Sequence, residues 1–484
     1  MDSYFKDYKP LRNYINKHNP YDALGVVWRM AKQFELAPAN KKYEITLPNN
    51  TMISPWDLPL IVRETVLNGD PLSKRKLDQI SFLTIVTGYI RSITGEADER
   101  SLEKNNVLVE MVKLFHRQFP RQGNIEIFRY LRYLKLYSAN EITPYFEGKY
   151  GLTIKEFTRI AMALIAQAKA SVDVSEIYGL HELGVPNDKA RQFLEKLTIH
   201  IDHLKGKYEE GKAFDKNWEY AWNPLEAQPL IRIRDKILCP VPEMLFNRFG
   251  FGMYYDLCKL PGFDNAWGNT FEKYVGEVLE TVFAGTLYVI HEENPYTVSG
   301  QRRDGVDWIL EGPDGNVFIE CKAKRMGQLS RDNADVEAIS KEVQILADAV
   351  VQLYENVEYA LSGKTNWKPN DLPSYLLVIT LEDWYISTEP VLDMLEAAVR
   401  EKLQQANLSL DLLEKWPYGI ISAREFEDIS SVVCEVGVKQ FFLEKNTTKY
   451  RAYFWIQYAK ENFPSNVRKN ALQMMKKEIL NIAR

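Results

Sequence analysis

In the first part of the chain, apolar residues recur three and four positions apart, which is the spacing of one face of an α-helix. The clearest examples are residues 81–94, 105–119, 125–137 and 154–170. Turn-forming sequences, such as NGDP at residues 68–71, separate some of these segments. We therefore predict an all-helical N-terminal region that extends over residues 1–225.

The pattern changes after this region. Residues 226–262 contain two short apolar segments on either side of Asp235, and they predict a connecting hairpin followed by a helix. Residues 263–436 alternate in the order helix, three strands, helix, strand, helix and strand. This order predicts a mixed α/β domain, with a central mixed sheet flanked by helices. Residues 437–484 predict a basic helical C-terminal extension.

Composition restricts the classes of function. The net charge of -5 excludes a generally basic coat for nucleic acid, although it leaves room for a local basic surface. The four cysteines form no CxxC pair, so their spacing fits neither a zinc knuckle nor a small disulfide framework. The first residues are charged and do not resemble a signal peptide, and no apolar run reaches about 18 residues. We expect a cytoplasmic protein without a membrane partner.

The segment GVDWILEGPDGNVFIECKAK, at residues 305–324, places charged residues in an otherwise apolar hairpin. Glu320 and Lys322 project from the same face of their strand, because side chains alternate along it. If the two strands pair as neighbours, Asp307 comes close to Glu320, and two such carboxylates repel unless a cation lies between them. Charged residues also keep exposed hairpins soluble, but the apolar residues on both faces predict burial. Two carboxylates and a lysine, Asp307, Glu320 and Lys322, favour a Mg²⁺ site that serves hydrolysis of a phosphodiester.

This arrangement resembles the PD-(D/E)XK nuclease superfamily, which has the restriction-endonuclease-like fold. Asp307 matches the aspartate of the family motif, and residues 320–322 (Glu-Cys-Lys) match its (D/E)xK element. Glu272 matches a glutamate that many members carry on the preceding helix. Val306 stands where the family name has proline, and the resemblance covers residues 263–425.

The resemblance implies a metal site and a catalytic lysine. The carboxylates of Asp307 and Glu320 and the main-chain carbonyl of Cys321 are expected to bind Mg²⁺, for which Mn²⁺ can substitute. Lys322 is expected beside the attacking water. A thiolate ligand is the alternative role of Cys321, but strand alternation directs its side chain to the opposite, packed face. We therefore predict that the Cys321 side chain is part of the core.

Glu272 has a structural alternative. It lies three positions after Asn269, and this spacing also predicts a capping box at the start of a helix. The functional interpretation is that the helix packs on the sheet and directs Glu272 towards the metal. The two roles do not exclude each other.

Three basic segments are candidates for contact with nucleic acid. Arg302 and Arg303 precede the motif, and we expect them to reach a scissile phosphate. Residues 128–137 interleave basic and aromatic side chains as nucleic-acid binders do, but a solvated edge beside an apolar stripe gives the same pattern. Residues 440–484 hold nine lysines and arginines against three glutamates, which suits backbone contact or a solvated helix face.

Together these features predict a Mg²⁺-dependent nuclease. DNA is favoured over RNA as its substrate, because most members of the family cut DNA. The N-terminal helices would then recognise the substrate, bind a protein partner or join copies of the chain, as in restriction or phage-defence nucleases. The alternative is a non-catalytic nucleic-acid-binding or adaptor protein that keeps the fold as a scaffold. Both endonuclease and exonuclease activity are compatible with the sequence.

Overall fold

The computed structural model describes most of the chain. The described residues are 3–38, 43–102, 107–118, 125–177, 180–204, 218–220, 223–326, 336–385, 387–467 and 470–483. The chain divides into two compact units, one of Met1–Leu260 with Ile482–Arg484 and the other of Pro261–Asn481. The structure is mixed α/β, as the sequence predicts. Among the described helices, none is both long enough and apolar enough to cross a membrane.

The first unit consists mainly of helices. These are α1 (Ser3–Ile15), α2 (Pro20–Leu36), α3 (Leu58–Asn68), α4 (Gln79–Leu102), α5 (Val107–Gln118), α6 (Ile125–Tyr137), α7 (Thr143–Tyr150), α8 (Ile154–Ala170), α9 (Asn187–Lys196), α10 (Pro242–Phe249) and α11 (Tyr254–Leu257). Its strands are β1 (Ile45–Thr46), β2 (Met52–Ile53), β3 (Thr198–His200), β4 (Leu230–Ile233) and β5 (Lys236–Leu238). The four helices predicted from apolar spacing are confirmed as α4, α5, α6 and α8.

Short strands in the first unit correct the prediction of an all-helical region. The hairpin predicted around Asp235 is present as β4 and β5, but β4 also pairs in parallel with β3, which lies within residues 1–225. Strands β1 and β2 pair with each other in the same region. Each of β1, β2 and β3 has only two or three residues, which is too short to give an alternating pattern.

The basic and aromatic helix α6 lies in the core of the first unit. Its tyrosines are at most 2% exposed, and they are Tyr130, Tyr133 and Tyr137. Arg129 and Arg132 are also buried, and the Arg129 guanidinium lies 5.2 Å from the centre of the Phe251 ring. Buried rings cannot stack on bases, so the apolar interpretation of residues 128–137 holds and the nucleic-acid interpretation is wrong.

The second unit contains a five-stranded sheet with helices on both faces. The helices are α12 (Phe263–Phe283), α13 (Val336–Leu361), α14 (Glu389–Gln405), α15 (Leu412–Lys415), α16 (Ala423–Val436), α17 (Val438–Phe442), α18 (Trp455–Asn462) and α19 (Ala471–Ala483). The strands are β6 (Val289–Glu292), β7 (Tyr296–Val298), β8 (Gln301–Arg303), β9 (Trp308–Glu311), β10 (Asn316–Lys322), β11 (Ser374–Thr380) and β12 (Tyr418–Ser422).

The strand order in this sheet is β12-β11-β10-β9-β6. Strands β10, β11 and β12 are parallel, whereas β9 is antiparallel to both β10 and β6. Strands β7 and β8 form a separate hairpin. Every residue of β11 is buried, as expected for a strand that is covered on both faces. The predicted order of helices and strands is confirmed, with the additional hairpin inserted before β9.

The register of β9 and β10 assigns side chains to the two faces of the sheet. Ile319 pairs with Trp308, so both point to one face, where the Trp308 indole contacts α12. Glu320 and Lys322 point to the opposite face, where Lys322 contacts α13. The C-terminal end of β10 therefore lies between α12 and α13.

The segment predicted as a separate C-terminal extension, residues 437–484, lies almost entirely within the second unit. Asp314, in the turn between β9 and β10, accepts hydrogen bonds of 3.0 and 3.1 Å from the main-chain N–H groups of Val438 and Lys439. Asp314 thereby caps the N-terminus of α17. Trp455 Nε1 donates a hydrogen bond of 2.8 Å to a main-chain carbonyl of β12. The segment is helical, as predicted, but it covers one edge of the sheet.

Two of the basic residues in this segment are used inside the fold. Lys445 is 2% exposed and lies 4.5 Å from the centre of the Trp455 ring. Arg451 forms ion pairs with three acidic residues of α14, which are Glu389, Asp393 and Glu396. Arg468, Lys469 and Arg484 lie outside the described residues. The positive charge that residues 440–484 present to solvent is therefore smaller than the sequence count indicates.

Candidate active site

Asp307 and the motif strand are brought together by the antiparallel pairing of β9 with β10. The register pairs Trp308 with Ile319, so the residue before Trp308 lies beside the residues after Ile319. Asp307 Oδ2 accepts a hydrogen bond of 2.6 Å from the main-chain N–H of Cys321. A hydrogen bond to an ionised carboxylate is among the stronger ones in proteins. The strand pairing thus places the Asp307 carboxylate beside the motif.

Glu320 and Lys322 lie side by side on β10. Lys322 Nζ lies 2.8 Å from Glu320 Oε1 and 3.2 Å from Oε1 of Gln352 on α13. Glu320 is 3% exposed, and its other oxygen, Oε2, has no hydrogen-bond partner among the described residues. Leaving a buried carboxylate oxygen without a partner costs free energy. This oxygen is therefore available to a cation.

Glu272 lies in the middle of α12. The helix begins at Phe263, and the residue before it is Gly262, which has a φ angle of 77°. The predicted capping box between Asn269 and Glu272 is wrong, because both residues are inside the helix. A structural role for Glu272 at a helix terminus is thereby excluded.

Helix α12 approaches β9 closely because Gly276 has no side chain. A Cβ atom at this position would lie 2.2 Å from Trp308 Cζ2. One turn earlier, the main-chain carbonyl of Glu272 accepts a hydrogen bond of 2.9 Å from Trp308 Nε1. These two contacts fix Glu272 beside Trp308, and the residue that precedes Trp308 in the chain is Asp307.

The carboxylates at this end of the sheet influence one another. Burial raises the pKa of Asp307 to about 7, and the negative charge of Glu272 adds to this rise. Burial also raises the pKa of Glu320 to about 7, with Asp307 as the second cause. The pKa of Glu272 is raised by burial and then by Glu292 and Glu320. In the absence of a cation, Asp307 and Glu320 hold protons up to near neutral pH.

Cys321 does not provide a thiolate in this arrangement. Burial and then the Asp307 carboxylate raise the pKa of its thiol well above the ordinary value, so the thiol stays protonated. The thiol is buried, in line with the predicted packed side chain, although the residue as a whole is half-buried because it lies near the end of β10.

The donor set fits a hard divalent cation that is completed by water or substrate. Among the described residues, no three His, Cys, Asp or Glu side chains are close enough together to hold a metal ion. Asp307 and Glu320 supply two carboxylates, and the resemblance adds the main-chain carbonyl of Cys321. Mg²⁺ commonly binds through one or two carboxylates and keeps several waters. The buried Oε2 of Glu320, which has no hydrogen-bond partner among the described residues, fits this role.

The two arginines predicted to contact the substrate lie on the β7–β8 hairpin. Arg303 Nη1 lies 3.2 Å from Glu355 Oε2 on α13. Arg302 is exposed. In the part of the chain that the structure describes, neither arginine forms a hydrogen bond or ion pair with Asp307 or Glu320. Their predicted contact with a scissile phosphate therefore remains a prediction.

Two polar residues beside the motif are absent from the set predicted from the sequence. Gln352 contacts Lys322, and Glu292 lies opposite Trp308 in the β6–β9 register. The available signal for Gln352 was a polar residue within the largely apolar helix α13. The signal for Glu292 was its position at the end of a strand that precedes the motif.

Comparisons of the chain with known protein families, with curated proteins and with solved structures find no match. The geometry of the site is therefore the basis for assigning a function.

Proposed function

We propose that the protein is a metal-dependent nuclease of the PD-(D/E)XK type, which hydrolyses phosphodiester bonds in nucleic acid. The observation that carries this proposal is the pair of adjacent carboxylates, Asp307 and Glu320, at the end of the central sheet. Burial raises the pKa of each to about 7, and Glu320 Oε2 has no hydrogen-bond partner among the described residues. Such a pair is costly to the fold unless a cation binds to it.

The metal site would use two side chains and one main-chain group. Asp307 and Glu320 would hold Mg²⁺ or Mn²⁺ through carboxylate oxygens, together with the Cys321 carbonyl that the resemblance implies. When bound, such an ion polarises a phosphate oxygen and lowers the pKa of water. Glu272 lies within electrostatic range of Glu320, and its raised pKa suits it to accept a hydrogen bond or a proton from a water at the site.

Lys322 would act on the phosphate as a fixed positive charge. Burial lowers the pKa of Lys322, but the Glu320 carboxylate raises it further, and the net shift is upward. The ammonium group is held by Glu320 and by Gln352. A cation held in this way stabilises negative charge that develops on a phosphate without having to reorganise.

The substrate and biological role follow from the resemblance alone. DNA is favoured over RNA, and a cytoplasmic role in restriction or phage defence is the corresponding setting. The helices of the first unit would recognise the substrate, bind a protein partner or join copies of the chain. The alternative function is a non-catalytic nucleic-acid-binding or adaptor protein. The position of Asp307 beside Glu320 and Lys322, with Glu272 within electrostatic range, favours the enzyme.

Incubating the purified protein with labelled duplex DNA, single-stranded DNA and RNA, with and without Mg²⁺, tests this proposal. We expect cleavage of at least one substrate with Mg²⁺ or Mn²⁺ and no cleavage in EDTA. Asp307→Asn should abolish cleavage. Asp304→Asn removes an exposed carboxylate from the same segment and should leave cleavage unchanged. Binding of nucleic acid without cleavage under any of these conditions would support the non-catalytic alternative instead.

A further inference from the structure

The β7–β8 hairpin has two different faces. Its strands pair Tyr296 with Arg303 and Thr297 with Arg302. The turn at residues 299–300 has positive φ angles of 51° and 79°, as in the two-residue turns that connect tight hairpins. Directly paired residues point to the same side of a hairpin, and successive residues point to opposite sides. The Tyr296–Arg303 pair and the Thr297–Arg302 pair therefore lie on opposite faces.

One face is attached to α13. Tyr296 Oη donates a hydrogen bond of 2.9 Å to Asn356 Oδ1, and Arg303 Nη1 lies 3.2 Å from Glu355 Oε2. The Arg303 guanidinium also lies 5.9 Å from the centre of the Tyr359 ring. The charge of Arg303 is thus compensated by Glu355, and the side chain anchors the hairpin to the helix.

The other face is open to solvent. Thr297 and Arg302 are exposed, and Arg302 forms no hydrogen bond or ion pair with any described residue. The guanidinium of Arg302 is always protonated, and its planar set of donors matches the oxygens of a phosphate. The hairpin therefore presents an uncompensated positive charge on the face that α13 does not cover.

Helix α13 connects this hairpin with the candidate active site. Gln352, which holds Lys322, precedes Asn356 by one helical turn and Tyr359 by two, so these residues share one face of the helix. At 1.5 Å per residue, the anchor points of the hairpin, from Glu355 to Tyr359, lie about 4.5 to 10.5 Å along the helix from Gln352. One strand of DNA rises about 3.4 Å per nucleotide, so this distance corresponds to about one to three nucleotides.

We propose that the β7–β8 hairpin binds the phosphate backbone of the nucleic acid through Arg302, about one to three nucleotides from the scissile bond. Arg303 is a positioning residue that holds the hairpin on α13. This inference rests on the proposed nuclease function, and it gives different roles to two arginines that the sequence presents as equivalent. Lys322 is paired with Glu320, so Arg302 supplies attraction for a polyanion that the site itself lacks.

The salt dependence of binding tests the role of Arg302. The Asp307→Asn chain, which is expected not to cleave, is titrated with labelled duplex DNA between 50 and 200 mM salt. Each phosphate contact contributes about 0.9 to the slope of log affinity against log salt, so a fourfold change in salt costs about 3.5-fold in affinity per contact. Adding Arg302→Gln to this chain should weaken DNA binding at 50 mM salt. It should also reduce the slope of log affinity against log salt by about 0.9, the contribution of one phosphate contact. Arg302→Lys should retain most of that slope.

Substituting each partner of the Arg303–Glu355 ion pair in turn distinguishes the role of Arg303 from that of Arg302. Arg303→Gln and Glu355→Gln both remove the ion pair that helps to hold the hairpin on α13 and leave only the Tyr296–Asn356 hydrogen bond, so both should weaken binding several-fold at 50 mM salt. If Arg303 contacted the phosphate itself, Glu355→Gln would free its charge and strengthen binding instead. Arg400→Gln, which removes an arginine paired with Glu396 on α14, is the matched control and should bind like its parent.

An Arg302→Gln variant with the parent's affinity and slope would overturn the role of the hairpin. If the parent still binds DNA and the wild-type chain cleaves it with Mg²⁺, that result leaves the nuclease proposal intact. A wild-type chain that neither binds nor cleaves DNA or RNA would overturn both.

Discussion

Glu320 and Lys322 form an ion pair of 2.8 Å within a single strand, although Glu320 is 3% exposed. The pleat of β10 brings their side chains together, because residues two apart share a face. The ammonium group also contacts Gln352 Oε1 at 3.2 Å. Only one oxygen of Glu320 is used in the pair, so the carboxylate can serve the lysine and a cation at the same time.

We expect Lys322→Met to lower the rate of cleavage by on the order of 10²-fold or more, because it removes a positioned charge. Metal affinity should stay nearly intact. Single-turnover cleavage and calorimetry with Mn²⁺ measure the two effects, each followed as a function of pH because Lys322 lowers the pKa values of Asp307 and Glu320. Lys324→Met, at an exposed position two residues after β10 ends, is the control. Loss of metal binding together with activity would make the role of Lys322 structural.

In EDTA, the free energy of unfolding should decrease as the pH rises towards and through 7. Asp307 and Glu320 have folded-state pKa values of about 7, against roughly 4 in an unfolded chain. The folded protein binds more protons in this interval, so stability from these groups is complete below about pH 4 and is lost by pH 8. Urea denaturation of the wild-type and Asp307→Asn chains measures the free energy of unfolding of each at several pH values. The difference between the two pH dependences is the contribution of the carboxylate pair.

Mg²⁺ should reverse this loss of stability at pH 8, because the cation takes the place of the protons. The midpoint of urea denaturation should rise with Mg²⁺ concentration for the wild-type chain and much less for Asp307→Asn. A wild-type midpoint that does not respond to Mg²⁺ or Mn²⁺ would contradict metal binding by this pair.

Glu272→Gln should lower cleavage sharply at low Mg²⁺ and allow partial recovery at high Mg²⁺ or with Mn²⁺. The substitution keeps the shape of the side chain but removes the charge that lies near Asp307 and Glu320. Because Glu272 is inside α12, no loss of a helix cap complicates the result. Glu280→Gln, at an exposed position on the same helix, should leave the metal-dependence curve unchanged. If cleavage depends on Mg²⁺ concentration in the same way for both variants, Glu272 has no role in the metal site.

Gly276→Ala should destabilise the second unit and lower cleavage together. The new methyl group would lie 2.2 Å from Trp308 Cζ2, so either α12 or the indole has to move, at a cost of roughly 1–3 kcal/mol. Gly268→Ala is the matched control, because no atom lies within 4 Å of a Cβ at that position. It should stabilise the same helix by about 0.5–1 kcal/mol. Equal stability and activity for the two variants would contradict the close packing of α12.

The sequence is most informative where a local pattern determines the structure. Strand alternation correctly predicts that Glu320 and Lys322 share a face, and the order of elements correctly predicts the sheet around them. Asn269 and Glu272 mimic a helix start, but the apolar positions at Phe263 and Trp267 continue the same helical face and extend the helix. A local rule selected the wrong boundary there, because packing against the sheet determines how far the helix runs.

Contacts between distant residues are what the sequence could not provide. Gln352 meets Lys322 only because α13 returns across the sheet, and 30 residues separate them. Likewise, Arg303 forms an ion pair with Glu355, which lies 52 residues later in the chain. No spacing rule connects such positions, so the sequence could assign the two arginines of the hairpin only the same role.

The hydrogen bonds from Val438 and Lys439 to Asp314 have a consequence for the order in which the protein is made. The turn that joins the two motif strands is fastened by residues that the ribosome adds 124 positions later. At about 5–20 residues per second, this interval lasts roughly 6–25 s. During that time the nascent chain has the proposed metal-binding residues but lacks the helix that holds the turn between their strands. The proposed nuclease activity should therefore arise only after α17 has been synthesised. A chain that stops at residue 436 should be cleaved by proteases in the turn at residues 312–315.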